Sequence, residues 1–96
     1  MKPQRPPDRH DRHYPAKTAF VRAQLREGRR VSELANQLYR EGTHAVQILL
    51  IFHQATGTPL EDLRGFGRWW GIGGVSDADA FDEWAKEVFG DPPRLT

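Results

Sequence analysis

Ninety-six residues with a net charge of +1, 28% charged side chains and no cysteine suffice for one domain and are too few for two. The missing cysteines exclude a disulfide framework and thiol chemistry. No apolar run approaches the ~18 residues of a membrane span and the start has no apolar signal core, so the expectation is a cytoplasmic protein that does not meet the membrane.

Residues 1–14 combine prolines, arginines and histidines with a single tyrosine, which predicts a flexible basic arm. Residues 15–90 are expected to form one helical domain and residues 91–96 a tail. The first helix is predicted from about Ala16 to Glu27, with Phe20, Val21 and Leu25 on one stripe and Gly28 as its stop. Ser32 is positioned to cap a second helix reaching Tyr39 to Glu41, whose stripe is Leu34, Ala35 and Leu38, closed by Gly42.

Thr43 is expected to cap a third helix, about 43–56, that ends at Gly57. Its Ile48, Leu49, Leu50, Ile51 and Phe52 are consecutive, and at 100° per residue they point all round the axis, so this helix should be buried on every side. It is the expected centre of the fold. Thr58-Pro59-Leu60-Glu61 then reads as a capping box, with proline at N1, where its missing N–H costs nothing. Leu60, Leu63, Phe66 or Gly67, and Trp70 follow the α-helical period, which puts Trp70 on the buried stripe and rotates Trp69 away beside Arg68. Gly65 and Gly67 each cost about 1 kcal/mol relative to alanine inside a helix, so either another backbone approaches them or the helix frays. Gly71 to Gly74 reads as a loop, and Ser76 as the cap of a last helix whose stripe is Phe81, Trp84, Ala85 and Val88. The fold class that follows is all-α, with five helices in one domain.

Charge runs unevenly along the chain. Residues 1–17 carry five Lys/Arg against two Asp, residues 18–75 seven against five acids, and residues 76–96 two against six. This fits a solvated arm with an acidic surface helix or, alternatively, a nucleic-acid or acidic-partner contact by the basic half.

Catalytic chemistry finds few candidates. Ser32 and Ser76 stand where caps are expected, and Asp77, Asp79, Asp82, Glu83 and Glu87 lie opposite the apolar stripe of the last helix. His10, His13, His44 and His53 do not converge as zinc ligands would. The glycines around Trp69-Trp70 follow a helix rather than a strand and precede aspartates, which is wrong for a phosphate loop. No enzyme activity, metal or cofactor is expected.

Two partial resemblances add to this reading. Residues 25–50, through Gly28-Arg29-Arg30-Val31-Ser32-Glu33-Leu34-Ala35, resemble the helix-turn-helix of resolvase-type DNA-binding domains. That resemblance implies a DNA-reading second helix, on which Thr43, His44, Gln47 and Gln54 are the polar positions among Ile48, Leu49, Ile51 and Phe52. Residues 44–90 are similar to the C-terminal domain of the bacterial ribosomal stalk protein, through Ala55-Thr56-Gly57, Leu60 and the turn from Val75 to Ala80. The second resemblance implies helix-turn-helix packing and, in that family, recruitment of translational GTPases by basic residues of the first two helices. Arg64 is basic at such a position, and Leu50 and His53 occupy the others.

The leading expectation is a small non-enzymatic protein-binding module of the adaptor, inhibitor or immunity-protein kind. Its contact residues would be Arg64, Phe66, Arg68, Trp69 and Ile72, because tryptophan and arginine are enriched where binding energy concentrates. The alternative is a helix-turn-helix-like DNA- or RNA-binding regulator using Lys17, Arg29, Arg30, Arg40, His44 and Gln47. Another protein is the first expected partner, with nucleic acid or a second copy of the chain as alternatives.

Overall fold

In the computed structural model, residues 14–71 and 73–95 are described. Four α-helices, α1 (Pro15–Arg26), α2 (Val31–Arg40), α3 (Ala45–Thr56) and α4 (Ala78–Phe89), are joined by a 3-10 segment, Leu60–Trp69, and a hairpin of β1 (Trp70–Gly71) and β2 (Gly74–Val75). Among the described residues the chain is mostly helical, with five helical segments as its patterning predicts. Where a plain loop is expected, an antiparallel ladder pairs Trp70 with Val75 and Gly71 with Gly74. The predicted basic arm, Tyr14 excepted, lies outside the described residues. Among those described, no helix is long and apolar enough to cross a membrane.

The apolar run of α3 sits at the centre, with Ile48, Ile51 and Phe52 fully buried. Helix α1 packs along one flank and the 3-10 segment along another, and the Phe89 ring of α4 stacks 5.6 Å from that of Phe52. Burial is not complete all round, since Val46 is 71% exposed and Leu49 is half-buried. Polar ties fix the α1–α3 seam: Tyr14 N–H and Thr18 Oγ both donate to Gln54 Oε1, at 3.3 and 3.2 Å. Gly57 ends α3 with φ 71°, in the left-handed region where glycine carries no Cβ penalty.

Helix starts depart from expectation, because tertiary partners take over the caps. Ser32 lies inside α2, whose N-cap residue is Arg30. The oxygen that satisfies the orphan Ser32 N–H comes from Asp82 of α4, at 2.9 Å. Thr43 is buried and accepts from Lys17 Nζ at 2.9 Å; His44 is the N-cap residue of α3, and its N–H donates to Gln47 Oε1 at 3.0 Å. Asp77 rather than Ser76 caps α4, accepting from Ala80 N–H at 3.1 Å. The Thr58 capping box does not form. Thr58 is buried beside Thr56, with hydroxyl oxygens 2.8 Å apart, and its carbonyl accepts from His53 Nδ1 at 2.6 Å.

The largest correction concerns the tryptophans. A 3-10 helix has three residues per turn, so Leu60, Leu63, Phe66 and Trp69 align on one row. Leu63 and Phe66 are buried at 0% and 1% exposure, and Trp69 continues that row instead of rotating away. Trp70 passes into β1, and both rings are half-buried. Trp69 packs against Phe81 and Trp84, at centroid distances of 6.0 and 6.2 Å, and Trp70 against Tyr39 and Phe66, at 5.3 and 5.6 Å. With Phe52 and Phe89, these contacts link eight of the chain's ten aromatic residues into one cluster. Gly65 leaves room for side chains rather than a backbone: a Cβ there would stand 3.5 Å from both Trp84 Nε1 and the Arg68 guanidinium.

Candidate binding surfaces

Two surfaces are built on opposite faces of α4. Phe81, Trp84, Ala85 and Val88 form its apolar face, whereas Asp79, Asp82 and Lys86 recur at helical spacing on the other.

The apolar face meets the 3-10 segment and produces a ridge. Arg64 and Arg68 are exposed there, and the Arg68 guanidinium lies 5.2 Å over the Trp69 ring, within the range of a cation–π attraction. Among the described residues neither arginine meets a carboxylate. Of the sequence-predicted protein contacts, the ridge brings together Arg64, Arg68 and Trp69. Phe66 is a correction: at 1% exposure it belongs to the core and offers no surface to a partner, because the three-residue period turns it inward between Leu63 and Trp69. Ile72 lies outside the described residues. Trp84, half-buried between Phe66, Trp69 and Phe89, belongs to the ridge, although its spacing in the sequence marks it only as core.

The charged face of α4 meets the α1–α2 turn and encloses a groove of about 500 Å³. Arg30 crosses it. Its Nε donates to Asp82 Oδ2 and its Nη2 to Asp79 Oδ1, both at 2.7 Å. These hydrogen bonds, Asp82's first and then Asp79's, hold the Arg30 pKa above its ordinary value. Asp82 is 14% exposed and also accepts from Ser32 Oγ at 2.7 Å, while Asp79 is 93% exposed. The two carboxylates therefore differ in worth, since an exposed pair contributes little. The uneven charge distribution was the available signal for this contact, because a basic centre and an acidic end are complementary.

The residues expected to read nucleic acid do not form one patch. Arg30 is neutralised as above. Arg29 is half-buried, and its Nη1 donates to Gln24 Oε1 at 3.0 Å and Gln37 Oε1 at 2.8 Å. Gln47 is spent on the His44 N–H. Lys17, Arg40 and His44 are exposed, and the Lys17–Thr43 bond draws α1 to the turn that carries the other two. Among the described residues no group of three or more His, Asp or Glu is placed to hold a metal ion.

Comparison with protein-family models, with curated proteins and with solved structures finds no match to this chain.

Proposed function

We propose that this chain is a small, non-enzymatic protein-binding module of the adaptor, inhibitor or immunity-protein kind, and that it docks through the ridge of Arg64, Arg68 and Trp69 beside Trp84. The observation that carries this reading is the Arg68 guanidinium lying 5.2 Å over the Trp69 ring. A cation–π attraction favours one placement of a long side chain before a partner arrives, and less rotamer freedom is then lost on binding. The two arginines lack carboxylate partners of their own among the described residues, which favours a partner presenting acidic side chains.

The test is affinity capture from the native host with the wild-type chain and with Arg64→Glu/Arg68→Glu, followed by mass spectrometry. Circular dichroism first establishes that the variant is folded. A protein retained by the wild type and lost by the folded variant supports the ridge, and identical captures remove it.

A second reading, nucleic-acid binding by the basic half, draws on the gathering of Lys17, Arg40 and His44 at the α2–α3 turn. Binding of that kind weakens steeply with salt as counterions are released. A gel-shift titration in low and high salt checks it, and no shift of duplex DNA or RNA at low ionic strength eliminates it.

A further inference from the structure

We infer that the notch over Gly65 is the subsite of the ridge that receives one acidic side chain of the partner, whose carboxylate takes one N–H from Arg68 and one from Trp84. The inference rests on the ridge being the docking surface.

The notch exists because residue 65 has no side chain. A Cβ built there would stand 3.5 Å from Cζ and Nε of Arg68 and 3.5 Å from Nε1 of Trp84, so nitrogen donors from two separate elements, the 3-10 segment and α4, lie around one point that the chain leaves empty. An oxygen slightly farther out can approach either donor to hydrogen-bonding distance, and the two oxygens of a carboxylate can take one each. Gly65 is half-buried, so the notch can be entered.

Both donors are available. The Arg68 guanidinium, 5.2 Å over the Trp69 ring, has no hydrogen-bond or ion-pair partner among the described residues. The three tryptophans differ in one respect: Nε1 of Trp69 and of Trp70 is buried without a partner, whereas Nε1 of Trp84, also without one, is not buried. Only the Trp84 indole can meet an incoming acceptor without its ring moving.

Charge sets the class of ligand. The acids of the 3-10 segment, Glu61 and Asp62, lie six or seven residues before Arg68, roughly 12 Å at the rise of a 3-10 helix and beyond the screening length of about 10 Å at 0.1 M salt. Glu87, one turn after Trp84 on α4, pairs with neither arginine of the ridge. Arg68 therefore meets a single carboxylate with its charge uncompensated. A nucleic-acid backbone would extend its charges along the segment toward Glu61 and Asp62 and be repelled there.

The experiment is a nitrogen-15 NMR titration of the full chain with acetyl-Gly-Leu-Glu-Leu-Gly-amide and with its glutamine counterpart, read at the indole N–H signals of the three tryptophans. The glutamate peptide is expected to move the Trp84 signal downfield and saturably, to leave that of Trp70 in place, and to bind about tenfold more tightly than the glutamine peptide. Gly65→Ala, whose methyl group occupies the notch at ordinary contact distances, should remove that preference in a folded protein. Trp84→Phe, which keeps a ring but has no N–H, should do the same. Equal affinities for the two peptides, an unmoved Trp84 signal, or a preference that survives in Gly65→Ala would overturn the proposal. So would tighter binding of a phosphoserine peptide, or displacement of the glutamate peptide by a short DNA duplex. Affinity capture separates the two readings: a protein lost with Arg64→Glu/Arg68→Glu but retained in full by Gly65→Ala upholds the ridge and overturns the notch, whereas captures identical for the wild type and both variants overturn the ridge and the notch with it.

Discussion

Helix α4 is held on one side by ions and on the other by rings, and the two junctions do different work. On the charged face, Asp82 joins Arg30 to two polar groups of Ser32 through bonds of 2.7–2.9 Å. Such bonds are directional and fix where α2 begins relative to α4, but much of what they gain offsets lost hydration. On the apolar face, Phe66, Phe81 and Trp84 contact one another at centroid distances of 5.6–6.1 Å. Rings contribute through the area they remove from water, on the order of 25 cal/mol per Å². The ring face should therefore dominate stability and the ionic face the register between helices.

The largest effect should come from Phe66→Ala, which removes the ring shared by Trp70, Phe81 and Trp84 and should cost about 3–5 kcal/mol. Urea denaturation is the measurement, and an unfolded variant counts as agreement. Trp69→Ala and Trp70→Ala should each cost about 2–3 kcal/mol, because both half-buried rings pack on the cluster. This replaces the sequence-based expectation that only Trp70 matters for stability, and a thermal midpoint for Trp69→Ala close to wild type would restore it.

On the ionic face, Asp82→Ala should cost about 1–2 kcal/mol, because the Ser32 N–H loses its cap. Asp79→Ala should cost under about 0.5 kcal/mol, given 93% exposure of its side chain. Equal midpoints for the two variants would mean that burial does not separate the carboxylates. Arg30→Gln should lower the midpoint less in 1 M salt than in 0.1 M, as the screening length falls from about 10 to about 3 Å; the penalty of Phe66→Ala should not shrink in this way. A further contrast concerns two glycines. Gly74→Ala should destabilise by about 1–2 kcal/mol, since φ is 133° and the new Cβ would collide with Asn36 Oδ1, the acceptor of the Val75 N–H. Gly67→Ala meets nothing within 4 Å and should be neutral or slightly stabilising in the same denaturation assay.

Periodicity made the helices legible. Val21 with Leu25, Leu34 with Leu38, and Phe81 with Ala85 are all buried where their spacing puts them. It failed between Leu60 and Trp70 because two glycines weaken an α-helix, and the 3-10 period separates Trp69 from Trp70 differently. Caps were misplaced for another reason. A serine or threonine before a helix is a local signal, yet here Ser32 and Thr43 are bound by Asp82 and Lys17, at sequence separations of 50 and 26. The ridge could be anticipated from its Arg-Trp composition, and the Trp84 contribution could not. The groove was invisible in sequence because it depends on which charges find partners.

The Asp82 bond to the Ser32 N–H also bears on the order of assembly. Residue 82 follows residue 32 by half the length of the chain, so a growing polypeptide exposes the start of α2 long before its cap exists. Until α4 arrives, the first turn of α2 has only the local Glu33 oxygen, 3.4 Å from the Arg30 N–H, and should fray. Helix α2 should thus gain full amide protection together with α4 rather than with its neighbours α1 and α3. A native helix completed by so distant a residue should fold more slowly than a bundle built on local contacts. In stopped-flow refolding with pulsed hydrogen exchange, the amides of Val31 to Leu34 should become protected in the same phase as those of Phe81 to Ala85.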